Sequence, residues 1–138
     1  HGYLSYAHEN VELYFELLRK SEPNSIFVLS SGFMCYPSDV HFQYGLARKS
    51  IESQSTTVML VPSFEMEECV RLTVARQCAK TYISTCPEKE EAVIRSRFPV
   101  YMGLSCSKLE TKHPPSEVMA RAAEIWAREA SFDTAVEA

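Results

Sequence analysis

The chain has no excess of positive charge: 14 Lys plus Arg stand against 18 Asp plus Glu, a formal net charge of −4. A histone-like or tail-like binder of polyanions is excluded, because no sequence-wide basic field exists to hold one. Long apolar runs are missing too. The longest, residues 58–62 with their neighbours, falls far short of the roughly 20 residues a membrane helix needs. No secretory leader opens the sequence, and no membrane partner is expected. The five cysteines, Cys35, Cys69, Cys78, Cys86 and Cys106, make no Cys-x-x-Cys pair and no zinc-ligand spacing, while His1, His8, His41 and His113 are scattered. The expectation is reduced, mostly buried thiols, no metal, no cofactor, and a reducing compartment, nuclear or cytoplasmic. Repeats and low-complexity stretches are absent. The first residue is His1 rather than Met, as in a processed or excised fragment.

What is present is one domain's worth of chain, 138 residues of which 46% are apolar, enough for one sizeable core. Over residues 10–20, Val11, Tyr14, Phe15 and Leu18 recur at helical spacing, with Asn10 as cap and Glu12 and Glu16 facing outward. Three short runs rich in aromatic and branched residues follow at 26–30, 33–36 and 41–47, broken by Ser31-Gly32 and Pro37-Ser38-Asp39, and predict a strand meander. An exposed loop at 49–55 leads to a further strand at 56–61. After Pro62 a second helix is expected, capped by Ser63, with Met66, Cys69, Val70, Thr73 and Val74 on one face and Arg71 and Arg76 elsewhere. Strands at 81–86 and 92–98 are joined by a charged turn. A third helix over about 116–130 opens at Pro114-Pro115-Ser116 and carries Met119, Ala122, Ala123 and Trp126 in one stripe. This order predicts a single α/β domain, a central mixed or antiparallel sheet flanked by helices.

Chemistry concentrates in Phe33-Met-Cys-Tyr-Pro-Ser-Asp-Val-His-Phe-Gln-Tyr44, which sets Tyr36 and His41 at the two ends of a short connection between expected strands. Lys80, at the end of the second helix, is able to reach the same sheet edge if that helix crosses the meander. Metal-free RNA cleavage needs a base for the ribose 2′-OH, an acid for the leaving 5′-oxygen and a cation beside the phosphorane. Tyr, His and Lys suit these roles, the phenol only with a positive charge nearby. Arg95 and Arg97 alternate along the 92–98 strand, so both project from one face as phosphate contacts; Arg71 and Arg76 are further RNA-facing candidates.

At these residues the chain resembles the catalytic subunits of the tRNA-splicing endonucleases. The helix at 11–20 followed by Phe27-Val-Leu-Ser-Ser-Gly32 is similar to that family's opening helix and first strand. Phe33-Met-Cys-Tyr-Pro-Ser-Asp39 is similar to its strand ending in Tyr-Pro-Gly-Asp, and His41-Phe-Gln-Tyr44 to its His-x-x-Tyr strand. The run from Val61-Pro-Ser-Phe64 to Ala79-Lys-Thr81 resembles the helix that ends in the family's catalytic lysine, and Ala92-Val-Ile-Arg-Ser-Arg-Phe98 its penultimate strand. The resemblance implies a nuclease domain over 1–98 with a C-terminal extension at 99–138. It implies Tyr36 as general base, His41 as general acid and Lys80 as transition-state cation, giving 2′,3′-cyclic phosphate and 5′-hydroxyl ends. It also implies precursor tRNA as substrate, no metal cofactor, and related subunits as partners in a hetero-oligomer or homo-oligomer.

Charge is unevenly spread. Residues 33–112 hold 10 basic and 9 acidic side chains, and the two ends together 4 basic and 9 acidic, so the acidic excess lies outside the proposed site. Two other readings stand beside the resemblance. One is a non-catalytic structural or protein-interaction subunit, in which Tyr36, His41 and Lys80 are incidental. The other is a metal-dependent nuclease built on Asp39 and Glu110-Thr-Lys112.

Overall fold

The computed structural model describes residues 2–136, the side chains of 132–136 excepted. The elements are α1 (Tyr3–Lys20), a 3-10 turn (Phe33–Cys35), α2 (Tyr44–Ser53), β1 (Val58–Val61), α3 (Met66–Cys78), α4 (Pro87–Gly103), β2 (Ser107–Glu110) and α5 (Pro115–Val136). The fold is α/β but mostly helical. Its sheet, among the described residues, is two parallel strands and not a central antiparallel meander. The chain divides into two units, His1–Ile51 and Glu52–Ala138, so residue 98 falls inside α4 of the second unit.

In the first unit, Ala7, Val11 and Tyr14 recur every three to four residues along α1 and are buried. α1 starts at Tyr3, so Asn10 is interior to the helix and not its cap. Tyr14 meets Phe33 at a ring-centroid distance of 5.6 Å, and Phe33 meets Tyr36 at 5.4 Å and Tyr44 at 6.1 Å. This aromatic cluster replaces the expected meander. Residues 33–36 close into a tight turn instead of a strand, because the Phe33 and Cys35 amides bond back to Ser30 and Gly32. The Tyr44 hydroxyl then donates to the Phe33 carbonyl at 2.6 Å and accepts the Tyr36 amide at 3.2 Å. Residues 41–47 and the expected loop at 49–55 give way largely to α2. The spacing of Tyr44, Ala47 and Ile51 buries one helical face, which an alternating strand would scatter over two.

The second unit is β1–α3–α4–β2–α5. The strands pair in register from Val58↔Ser107 to Val61↔Glu110, and the Thr111 amide extends the ladder to the Val61 carbonyl. A parallel pair requires a long crossover, which α3 and α4 provide. The expected strand at 92–98 is helical instead: Pro87 occupies the first turn with Glu88 and Glu90, a start that favours helix over strand. Residues 81–86 are irregular, also without a strand. The helix after Pro62 and the one at Pro115 are as expected. Ser63 accepts the Glu65 amide at 3.1 Å just ahead of α3. The Trp126 indole ties α5 to the Thr56 carbonyl at 3.1 Å. Arg121 bonds Glu117 as its spacing predicts, whereas Arg128 donates to the Glu124 backbone carbonyl. All five cysteines are free thiols; Cys69 and Cys106 are buried, Cys78 and Cys86 exposed.

Candidate functional site

Tyr36 ends the 3-10 turn with its ring buried between Phe33, Tyr44 and, edge-on, Tyr3. Its hydroxyl receives a hydrogen bond from the Asn10 amide at 3.1 Å and shares one with the Ser30 hydroxyl at 3.1 Å. Both partners are neutral. The phenol is thus tied to two neutral side chains and buried against other rings.

His41 is 7% exposed and lies against a different side of α1. Its ring stacks on Phe42 at 4.6 Å and meets His8 at 4.8 Å and Phe15 at 6.5 Å. The Gln43 amide donates to its Nδ1 at 3.1 Å, so the neutral ring carries its proton on Nε2. Tyr3 and Asn10, which hold Tyr36, are seven residues apart and share one helical face. His8 and Phe15 share another, and at 3.6 residues per turn the two stripes are separated by about 120–160° around the axis. The expected meeting of Tyr36 and His41 over one pocket is therefore not made. They flank α1 rather than converge.

The groove beside His41, about 320 Å³, is bordered by Glu12, Phe15, Arg19 and Phe42. Sequence reading missed His8 and Glu12 as partners of His41. The available signal was the four-residue spacing His8-x-x-x-Glu12 within a helix, which puts both side chains on one face.

Lys80 belongs to the second unit, two residues past α3, where its amide bonds the Gln77 carbonyl. The arginines also lie there. Arg95 and Arg97 sit on α4, where two residues are about 200° apart, so they diverge instead of sharing a strand face. Arg95 grips both oxygens of Glu67 through Nη1 and Nη2 at 2.7 and 2.8 Å and Glu91 through Nε at 2.8 Å. Those carboxylates raise its pKa and hold the guanidinium charged, leaving it committed to the protein. Arg71 lies 3.9 Å from Glu68, and Arg76 is exposed in the last turn of α3.

Past the carboxyl ends of β1 and β2, Lys112 Nζ stands 2.8 Å from Glu68 and 3.1 Å from Glu110, and the Ser63 hydroxyl donates to Glu68 at 2.7 Å. Hydrogen bonds from Lys112 and Ser63 hold the Glu68 carboxyl below its usual range, and the same Lys112 contact raises the ammonium's pKa. Asp39 of the metal-dependent reading is in the first unit, and Glu110 and Lys112 in the second. No protein-family profile, curated protein or solved structure matches the chain.

Proposed function

We propose that this chain is a non-catalytic, interaction-bearing component of a larger assembly, and that its first unit takes up an extended strand of a partner protein along residues 26–29. One observation carries the reading. Ile26, Phe27 and Val28 have strong strand preference, yet no hydrogen bond engages the backbone of residues 26–29 among the described residues. Phe27 and Leu29 turn half-buried toward α1, lining a cavity of about 350 Å³ with Leu13 and Leu17. Ile26 and Val28 face solvent, at 74% and 91% exposure. An apolar segment with an open row of amides and carbonyls is able to pair with an added strand, in which backbone bonds give affinity and alternate side chains give specificity. Ile26 and Val28 are largely exposed, so replacing both by Lys leaves the buried core of the unit in place. The expected result is that the double variant elutes from a native extract at monomer size while the wild type elutes in a complex. Unchanged elution of the variant contradicts the reading.

A second reading, a metal-independent endoribonuclease subunit acting on precursor tRNA, is favoured by the His41 tautomer. His41, with its proton on Nε2, and Arg19 both border one groove and offer an acid and a cation. Tyr36 and Lys80 enter it only through the resemblance. It requires EDTA-resistant cleavage to 2′,3′-cyclic phosphate ends that His41→Ala abolishes. Cleavage by the assembly that survives Tyr36→Phe, His41→Ala and Lys80→Ala together removes it.

A further inference from the structure

We propose that His8, Glu12 and His41 form a divalent-cation site suited to Zn²⁺, independent of the strand-binding reading and contrary to the scatter of histidines along the sequence. His8 and Glu12 are stacked one turn apart on α1, with His8 Nδ1 and Glu12 Oε2 4.0 Å apart. His41 reaches them from the segment before α2, and one ligand atom from each of the three lies within 4.8 Å of the others. Two imidazoles and a carboxylate are the borderline-hard donor set of three-ligand zinc centres, which keep their fourth position open. Here the neighbouring groove, bordered by Glu12, Phe15 and Arg19, supplies that open side.

Ligand atoms around a tetrahedral zinc sit about 3.4 Å apart, from bonds of about 2.0–2.1 Å. The cluster therefore contracts by roughly 1 Å on loading. His8 and Glu12 are about half exposed and have room to close in, while His41 is buried against Phe15 and Phe42. Glu16, one turn beyond Glu12, is engaged by Lys20 at 2.5 Å and stays outside the set.

Loading leaves a specific mark at Gln43. A neutral imidazole has one lone pair, and in the metal-free protein that lone pair, on Nδ1, accepts the Gln43 amide. If the ion binds Nδ1, it takes that lone pair; if it binds Nε2, the ring proton moves to Nδ1. Either way the Gln43 amide loses its acceptor.

The test is Zn²⁺ titration of the EDTA-stripped, tag-free chain, followed by calorimetry and by the backbone amide spectrum. One ion per chain is expected, with the Gln43 amide resonance displaced, and with affinity falling about tenfold or more in both His8→Ala and Glu12→Gln. These two residues are exposed enough that both variants keep the fold. Absence of stoichiometric binding overturns the proposal. So does binding that is unchanged in both variants or leaves Gln43 unmoved, since the ion then resides elsewhere, on the free thiols for example.

Discussion

Tyr44 is the residue on which the first unit's aromatic cluster turns. Its hydroxyl satisfies the Phe33 carbonyl and the Tyr36 amide at once, both beneath the surface. Tyr44→Phe keeps the ring and strands both groups, at a cost of about 2 kcal/mol or more in denaturant unfolding. Burial also pushes the Tyr44 phenol up to about 12 from 10.0. The folded chain resists ionising it while the unfolded chain does not, so its contribution is complete below pH 10 and is lost as pH rises toward 12. Stability measured across that window falls in the wild type, and Tyr44→Phe flattens that part of the decline. At this scale the sequence was partly legible. It singled out Tyr36 and His41 as a pair, but a linear distance of five residues says nothing about a helix passing between them. The helical geometry of α1 is what separates Tyr3 and Asn10 from His8 and Phe15.

Among the elements, β1, α3 and α5 were legible because periodicity and punctuation agreed: a branched run at Val58–Val61, a Pro-Ser start before α3, and prolines ahead of α5. α2 and α4 were not, because Phe42, Tyr44 and Ile94 favour strands locally while burial at Tyr44, Ala47 and Ile51 selects a helix. α4 carries Pro99 in its interior, where the missing N–H leaves the Arg95 carbonyl without its usual helical donor. Pro99→Ala restores that bond. The expected gain is about 1 kcal/mol in thermal unfolding, and a loss instead shows that the proline shapes a contact α4 needs. The run at 26–30 has the composition of a strand, yet it joins no sheet and the backbone of residues 26–29 is unpaired among the described residues, which is the anomaly behind the proposed function.

Over the whole molecule, the −4 charge is organised rather than diffuse. In the second unit, Arg95 joins α4 to Glu67 of α3, and Lys112 joins the end of β2 to Glu68. Hydrogen bonds from Arg95 and Lys112 lower the pKa values of Glu67 and Glu68 below 4.5. Their stabilisation is present above that value and is lost as pH falls through the lowered values. The melting temperature therefore drops on acidification. The drop is smaller in Arg95→Ala with Lys112→Ala, and 1 M salt reduces it in the wild type.

Hydrogen exchange at residues 26–29 tests the central claim most directly. In the purified monomer the Phe27, Val28 and Leu29 amides are predicted to exchange at nearly the rate of a free peptide, and in the native complex to be protected like a paired strand. Strong protection in the monomer, or none in the complex, contradicts the account.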